Sequence, residues 1–531
     1  MRSYLEPKQN RTRRDRKMLS DKMQIKSVRG TQDILPAEYE KRRQAWEAIQ
    51  NVFRQFGYRG VEIPTIESID LHLRKSGEAI RRHMYSFKDL GNETLCLRPE
   101  LTASVVRMFI SKLWGEKLPQ KLYYLGSVFR YDKPQKGRYR EFTQAGIECI
   151  GGATPEYDAE VIALACRVME ELHISDYEVV IGNIGIVLEL LSQKKIDERV
   201  KNYIVESLET LSKSSGIDKG IQEIEEGLEK IGISMEELPR EKVELLEAVK
   251  KLPEAQARKV VAWVIDTIYG STGGDRDSQE IAGNLLAKIT RDEQRPQIRE
   301  TLNFIRELTQ IHGVPPKVFG KVDSLIQRAG LDPKPIEELR LITEYLDHYG
   351  VDWSKVRIDF SFGRGLAYYT GMIFEIYCHS RNLGADQKQV CGGGRYDDLI
   401  GYLGGASSVP ALGLSFGLER LILAMEGYLC EPEFLDAFVA PVGGEKEFRY
   451  ALDIACRLRG AGLRTDIGAK DKSVKAQLRM ADSLGTKFVL LLGEEERKEN
   501  AISLRDMRAA KQIKCSMTQA IETMKKGVAP P

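Results

Sequence analysis

The chain has 531 residues, 42% of them hydrophobic, enough for more than one domain with sizeable cores. Its net charge of +2 rules out capture of nucleic acid by a global field, so any such affinity must sit in local patches. The eight cysteines are scattered without a C-x-x-C pair, so neither a zinc knuckle nor a dithiol redox motif is written here.

That cysteine usage suits a reducing, cytoplasmic setting. No apolar run is long enough for a membrane span, and no stretch reads as a signal peptide. Residues 1–26 are polar and basic, with Lys8, Arg11, Arg13, Arg14, Arg16 and Lys17 and few apolar partners. Such a segment is expected to be a disordered tail, with a nucleic-acid-binding arm as the functional alternative. From Gly30 a helical pattern runs through Trp46, Ile49, Val52 and Phe53. A turn at Gly57 follows, then a short strand, Val61 to Ile63, closed by Pro64. A long helix followed by a strand ending in proline resembles motif 1 of class II aminoacyl-tRNA synthetases, which in that family builds the homodimer interface. An amphipathic helix packed on its own sheet accounts for the pattern equally well. Residues 94–106 give a strand, a turn and a helix start, with Glu100 and Thr102 after the turn. These two either cap the helix or, as carboxylate and hydroxyl, hold an ammonium group.

The stretch from Phe129 to Glu148, FRYDKPQKGRYREFTQAGIE, reads as two strands joined by a long basic loop. Arg130 ends the first strand. Lys133, Lys136, Arg138 and Arg140 lie in or near the loop. Gln144 and Glu148 share a face of the return strand, about 13 Å apart if it is fully extended. Such a floor can hold a zwitterionic small molecule beside a polyphosphate. The pattern resembles motif 2 of class II synthetases in the form used by histidyl-tRNA synthetases. The resemblance implies that Arg130 holds the α-phosphate of ATP and Arg138 an outer phosphate. It implies that Gln144, with Glu100 and Thr102, orients the amino acid backbone, and that Glu148 reads the imidazole.

Residues 157–173 read as a helix with Asp158 and Glu160 in its first turn, where acidic side chains suit the helix dipole. A strand from Tyr177 to Ile181 follows. Between about 190 and 330 charged helices dominate, and Ser234 with Glu237 forms a capping-box pattern. The piece from Gly270 to Asp275 lacks the Gly-Lys-Ser/Thr of a phosphate loop. This region is expected to be a helical insertion without catalytic residues.

Residues 356–377, VRIDFSFGRGLAYYTGMIFEIY, read as two buried strands with a glycine-rich bend. A guanidinium in so apolar a run needs an anion, which for Arg364 is either a bound ligand or a carboxylate such as Asp359. The stretch resembles a signature of histidyl-tRNA synthetases in which the Arg meets substrate carboxylate and α-phosphate and the second Tyr faces the imidazole. This assigns Arg364 as catalytic with Arg130, and Tyr368 and Tyr369 as histidine-binding. Ala367 departs from the Asp usual there. Cys391 to Asp397 supplies small residues that let backbone approach a ligand, and the family's like segment lines the histidine pocket. Residues 411–421 run from a small-residue strand into a helix and resemble motif 3, which implies that Arg420 holds the γ-phosphate.

From 434 to 527 strands and helices alternate, which implies a small α/β domain. It resembles the anticodon-binding domain of several class II synthetases. Lys470, Lys472, Lys475 and Arg479 then become a candidate tRNA-facing patch, although a solvated face explains them too. The expected layout is a tail (1–26), a first catalytic part (27–189), a helical insertion (190–330), a second catalytic part (331–430) and the C-terminal domain (434–527). The catalytic fold implied is α+β, an antiparallel sheet flanked by helices. The implied partners are L-histidine, ATP with Mg²⁺, and tRNA(His). The alternative is the regulatory subunit paralogue of ATP phosphoribosyltransferase in histidine biosynthesis. The wording around Ala367 leans that way, whereas the C-terminal domain and the full set of phosphate-binding arginines lean against it.

Overall fold

The computed structural model describes residues 25–76, 80–134, 137–194, 196–213, 217–230, 252–269, 282, 294–361, 368–384, 388–425 and 435–526. The tail up to residue 24, Lys136, Ser234, Glu237, the 270–275 piece, Arg364 and Ala367 lie outside the described residues. Contacts divide the chain into two compact units, Met1–Ile34 with Arg42–Tyr428, and Leu35–Lys41 with Leu429–Pro531.

The larger unit is built on a nine-stranded sheet. Its strands are β1 (Arg59–Gly60), β5 (Gln120–Phe129), β6 (Glu141–Ile150), β7 (Tyr177–Asn183), β8 (His312–Gly313), β9 (Val356–Asp359), β10 (Met372–Cys378), β11 (Gln389–Arg395) and β12 (Ala411–Gly417). The remaining strands, β2 (Ile66–Ser68), β3 (Tyr85–Lys88) and β4 (Thr94–Leu97), form a separate sheet in the order β2-β4-β3. The large sheet runs β1-β5-β6-β12-β11-β10-β7-β9-β8. All pairs from β5 to β7 are antiparallel; β1 with β5 and β7 with β9 are parallel.

The two faces of the central strands differ sharply. On one face stand Ala145, Ile147 and Cys149 of β6 with Leu412, Leu414 and Phe416 of β12, all buried. The helix Pro155–Glu171 packs on this side, presenting buried Val161, Ile162, Leu164 and Val168. Arg395 of β11 ties sheet to helix: its guanidinium donates to Asp158 at 3.1 and 2.6 Å and to the Gly152 carbonyl at 2.8 Å. The other face carries the site. The helix Pro36–Gln55 belongs to the first, apolar face, where Tyr123 pairs with Ile147; it buries Ala45, Ile49, Val52 and Phe53, a spacing that lays one stripe on the core. Phe53 meets Tyr123 with ring centroids 5.9 Å apart. Between residues 190 and 330 the described residues are mainly helical, as in Glu198–Lys213, Ile217–Lys230 and Arg295–Thr309, with the two-residue strand β8 as an exception.

The smaller unit has a five-stranded mixed sheet ordered β14-β13-β15-β16-β17. Its strands are β13 (Ala437–Pro441), β14 (Thr465–Ile467), β15 (Phe488–Leu492), β16 (Ile502–Asp506) and β17 (Lys511–Cys515). The sequence suggests one last strand before the final helix. The structure has an antiparallel hairpin there, because Asp506 accepts from the backbone N–H of Arg508 and Ala509 and turns the chain back.

Candidate active site

Five neighbouring strands, β5, β6, β12, β11 and β10, and the β5–β6 loop place the site. Directly paired residues of antiparallel strands share a face. Gln144, Gly146 and Glu148 of β6 stand opposite Gly417, Ser415 and Gly413 of β12. On the other flank they face Gly126, Tyr124 and Leu122 of β5. Gly413 and Ser415 face Gly394 and Gly392 of β11, which face Ile373 and Glu375 of β10. The result is a trough floored by glycine, from which a few polar side chains rise. The absence of side chains is required at two points. A Cβ on Gly413 would overlap Oε2 of Glu148, and one on Gly146 would lie 2.5 Å from Oη of Tyr124.

At one end of the trough Glu148 is buried. Its carboxyl accepts from Tyr124 Oη at 3.0 Å and from Tyr396 Oη. Burial is the main force that pushes its pKa up, to about 8; the nearby Glu100 charge adds to the rise, while hydrogen bonds from Tyr396, Thr102 and Tyr124 oppose it. Glu148 thus stays at its own strand position, held by two phenols, and does not reach back toward Gln144. Tyr368, Tyr369 and Tyr396 wall this end: centroids of the first two lie 4.9 Å apart, and Tyr368 meets Tyr396 edge-on at 5.8 Å. Tyr369 packs over Gly394, its ring 2.9 Å from where a Cβ would stand.

Glu100 sits beside this pocket. Its carboxylate accepts the Ala103 N–H at 2.9 Å, at the start of the helix Thr102–Met108, and lies 3.6 Å from Nδ1 of the buried His72. Burial alone would raise its pKa, but His72 and the helix-start N–H groups of Ala103 and Thr102 outweigh that and hold it below the usual carboxylate value. The capping role anticipated from its spacing is therefore present. His72, Tyr124 and the hydroxyl of Tyr396 complete this end of the site; Tyr396 lies in the 391–397 segment and Tyr124 just before the 129–148 stretch, whereas nothing in the sequence points to His72.

At the other end three arginines converge. Arg420, three residues past the end of β12, donates to the carbonyls of Gly137 at 3.1 Å and Gln389 at 2.7 Å. Its pKa is lowered first by burial and next by the charges of Arg138 and Arg130. Arg130 donates to the Pro99 carbonyl at 2.9 Å and lies over the Phe142 ring. Arg138 is paired with Asp132 at 2.7 Å. Like charges gathered around a half-buried guanidinium suit a polyanion. Glu419 anchors the group: it accepts the Thr143 N–H at 3.0 Å and pairs with Arg42 at 3.0 Å. Asp359, a possible partner for Arg364, is taken up by Arg357 and by Ser361.

An antiparallel sheet with a strand–loop–strand arginine pair, a further arginine on the helix after the last strand, and a separate α/β unit define a class II aminoacyl-tRNA synthetase architecture. The histidyl-tRNA synthetase family model matches residues 30–271 and 276–421, and the anticodon binding domain model matches 436–527. The histidine–tRNA ligase of Methanocaldococcus jannaschii is 32% identical over 485 residues, 91% of this chain and 95% of the relative. That of Thermoanaerobacter pseudethanolicus is 32% identical over 515 residues, 95% of this chain and 100% of the relative. The apo S. aureus histidyl-tRNA synthetase structure superposes with a TM-score of 0.63 at 26% identity, covering 94% of this chain and 100% of that one. A Bacillus halodurans chain described as an ATP phosphoribosyltransferase regulatory subunit/histidyl-tRNA synthetase shares the fold, at 22% identity and a TM-score of 0.60 over 88% of this chain and 98% of that one. The chain belongs to the histidyl-tRNA synthetase family. The match of residues 436–527 and the ligase relatives along the chain favour the synthetase over the regulatory paralogue.

Proposed function

We propose that the chain condenses L-histidine with ATP to histidyl-adenylate and pyrophosphate, then passes the histidyl group to the 3′ end of tRNA(His). The observation that carries this is the trough itself. A buried carboxyl and a tyrosine wall stand at one end, an arginine cluster at the other, and glycine floors the space between. Histidine lies with its ring at Glu148 and Tyr369, within reach of Tyr368, and with its backbone toward Gln144, Glu100 and Thr102. One carboxylate oxygen attacks the α-phosphorus in line as the bond to pyrophosphate breaks. The protein contributes position and charge stabilisation. Arg130 and Arg364 hold the α-phosphate, and Arg138 and Arg420 the outer phosphates.

Magnesium accompanies ATP as a counter-charge. Glu375 is the carboxylate of the trough floor nearest this end, and it already accepts from Gln389 Nε2 at 2.6 Å and from Tyr377. The ion is therefore expected to rest mainly on phosphate oxygens and its own waters. The segment resembling motif 1 would join two copies as a homodimer. No helix among the described residues is long and apolar enough to cross a membrane, and a cytoplasmic place follows from the reaction proposed. Pyrophosphate exchange with each amino acid in turn, followed by charging of total tRNA, tests this function. Exchange that responds to histidine alone supports it. Absence of histidine-dependent exchange returns the chain to the regulatory alternative.

A further inference from the structure

The polar groups on the trough floor are mostly engaged by one another. Two are not: Oε1 of Gln144 and Oγ of Ser415 are shielded from solvent and have no hydrogen-bond partner among the described residues. Gln144 already has a role in the adenylation reading, and Ser415 has none. We propose that Ser415 is a substrate-contacting residue whose hydroxyl donates to the α-carboxylate of the bound amino acid as it faces the α-phosphate; this rests on the adenylation reading.

Register locates the hydroxyl. Ser415 is paired with Gly146 on one side and Gly392 on the other. Neither partner carries a side chain of its own; the space over Gly146 is taken by the Tyr124 phenol, whose Oη stands 2.5 Å from where a Cβ would lie, and Gly392 leaves the other side of the hydroxyl without a flanking side chain. It lies two residues from Gly413, which faces Glu148, and two from Gly417, which faces Gln144. Two residues are about 7 Å of strand, close to the span from an imidazole ring to the carboxylate of the same amino acid. A ring held at Glu148 thus brings the carboxylate over Ser415, on the way to the arginines.

Chemistry points the same way. Glu375, in register with Ser415 two strands over through Gly392, already accepts from Gln389 and Tyr377. A shielded hydroxyl without a partner is a cost that alanine would avoid in the same volume. A carboxylate arriving at this point supplies the missing acceptor.

The test is Ser415→Ala in the full-length protein. In histidine-dependent pyrophosphate exchange, KM for histidine is expected to rise at least about tenfold, the effect of one hydrogen bond to a charged group. KM for ATP is expected to stay unchanged. Histidinol keeps the ring and amine but has an alcohol in place of the carboxylate, and should inhibit both proteins equally. The ligand-free variant is expected to melt at or above the wild-type Tm, since it loses an unpaired hydroxyl. An unchanged KM for histidine, an equal weakening of histidinol, or a lowered Tm would each overturn the proposal. A wild-type chain with no histidine-dependent exchange would overturn the adenylation reading itself, a result separable from the variant's behaviour.

Discussion

Two carboxyl groups a short distance apart are driven to opposite states. Glu100 is held ionised by His72 and by N–H groups at a helix start, against the pull of burial. Glu148, enclosed more completely, keeps its proton until about pH 8. Such divergence marks a site where one group attracts a cation and the other handles a proton. To accept a hydrogen bond from an imidazole N–H as a carboxylate, Glu148 must give up that proton. KM for histidine is therefore expected to fall as pH rises toward 8 in the wild type and to stay flat in Glu148→Gln. Above pH 8 the variant should bind histidine about 1.5–3 kcal/mol more weakly, the scale for a hydrogen bond to a charged group, with KM for ATP unchanged. Stability gives a second readout. A carboxyl whose folded pKa is raised from 4.5 to about 8 stabilises the fold fully below 4.5 and loses that contribution as pH rises through 8. The wild type should thus lose Tm relative to Glu148→Gln across that window; parallel curves would show that Glu148 is not held protonated.

At the scale of elements, the hairpin of β5 and β6 was legible in its sequence because aromatic and β-branched residues flank a polar loop. Alternation alone set Gln144 and Glu148 on one face. The glycine run of β11 reads as small residues that let backbone approach a ligand, and nothing local marks it as a strand, since glycine weakens strands. It is in fact a central strand, held on both sides by β10 and β12. Pairing overrides the local preference there, and one sequence contains no sign of that. His72 was equally illegible: a histidine before a helical Leu-Arg-Lys run has no local feature that places it beside Glu100. Glu419 shows how elements are joined. Its buried carboxylate links the helix Leu418–Ala424 to β6 through the Thr143 N–H and to the first long helix through Arg42. Removing one partner of a buried pair costs about 3–5 kcal/mol. Glu419→Ala is expected to lower Tm accordingly and, because Arg420 is its neighbour, to raise KM for ATP more than KM for histidine. Equal effects on both would show that Glu419 supports the fold without placing Arg420.

For the whole molecule, chemistry and tRNA recognition should be separable by mutation. Every residue argued to touch histidine or ATP lies in the larger unit. In the smaller unit Lys472, Lys475 and Arg479 are exposed on the helix Val474–Ser483 or just before it, while Lys470 is paired with Glu445 at 3.0 Å. Replacing Lys472, Lys475 and Arg479 by Glu together is expected to reduce kcat/KM for tRNA at least tenfold and to flatten its salt dependence. Pyrophosphate exchange should not change. If charging were untouched, the patch would be an ordinary solvated face. The α/β character of this unit was legible from alternating segments; its final hairpin was not, because the short strands β16 and β17 meet at a turn made by Asp506, which resembles any polar loop.

The glycine floor changes what damage means for this protein. In an ordinary core, harm comes chiefly from atoms taken away, which leave a void. At Gly146, Gly394 and Gly413 every possible substitution adds atoms to space that the substrate or a neighbouring side chain must occupy. The working surface is in this sense a mould, in which the informative feature is the volume left empty. An inherited change there acts by filling it in, and no smaller residue exists to make room again.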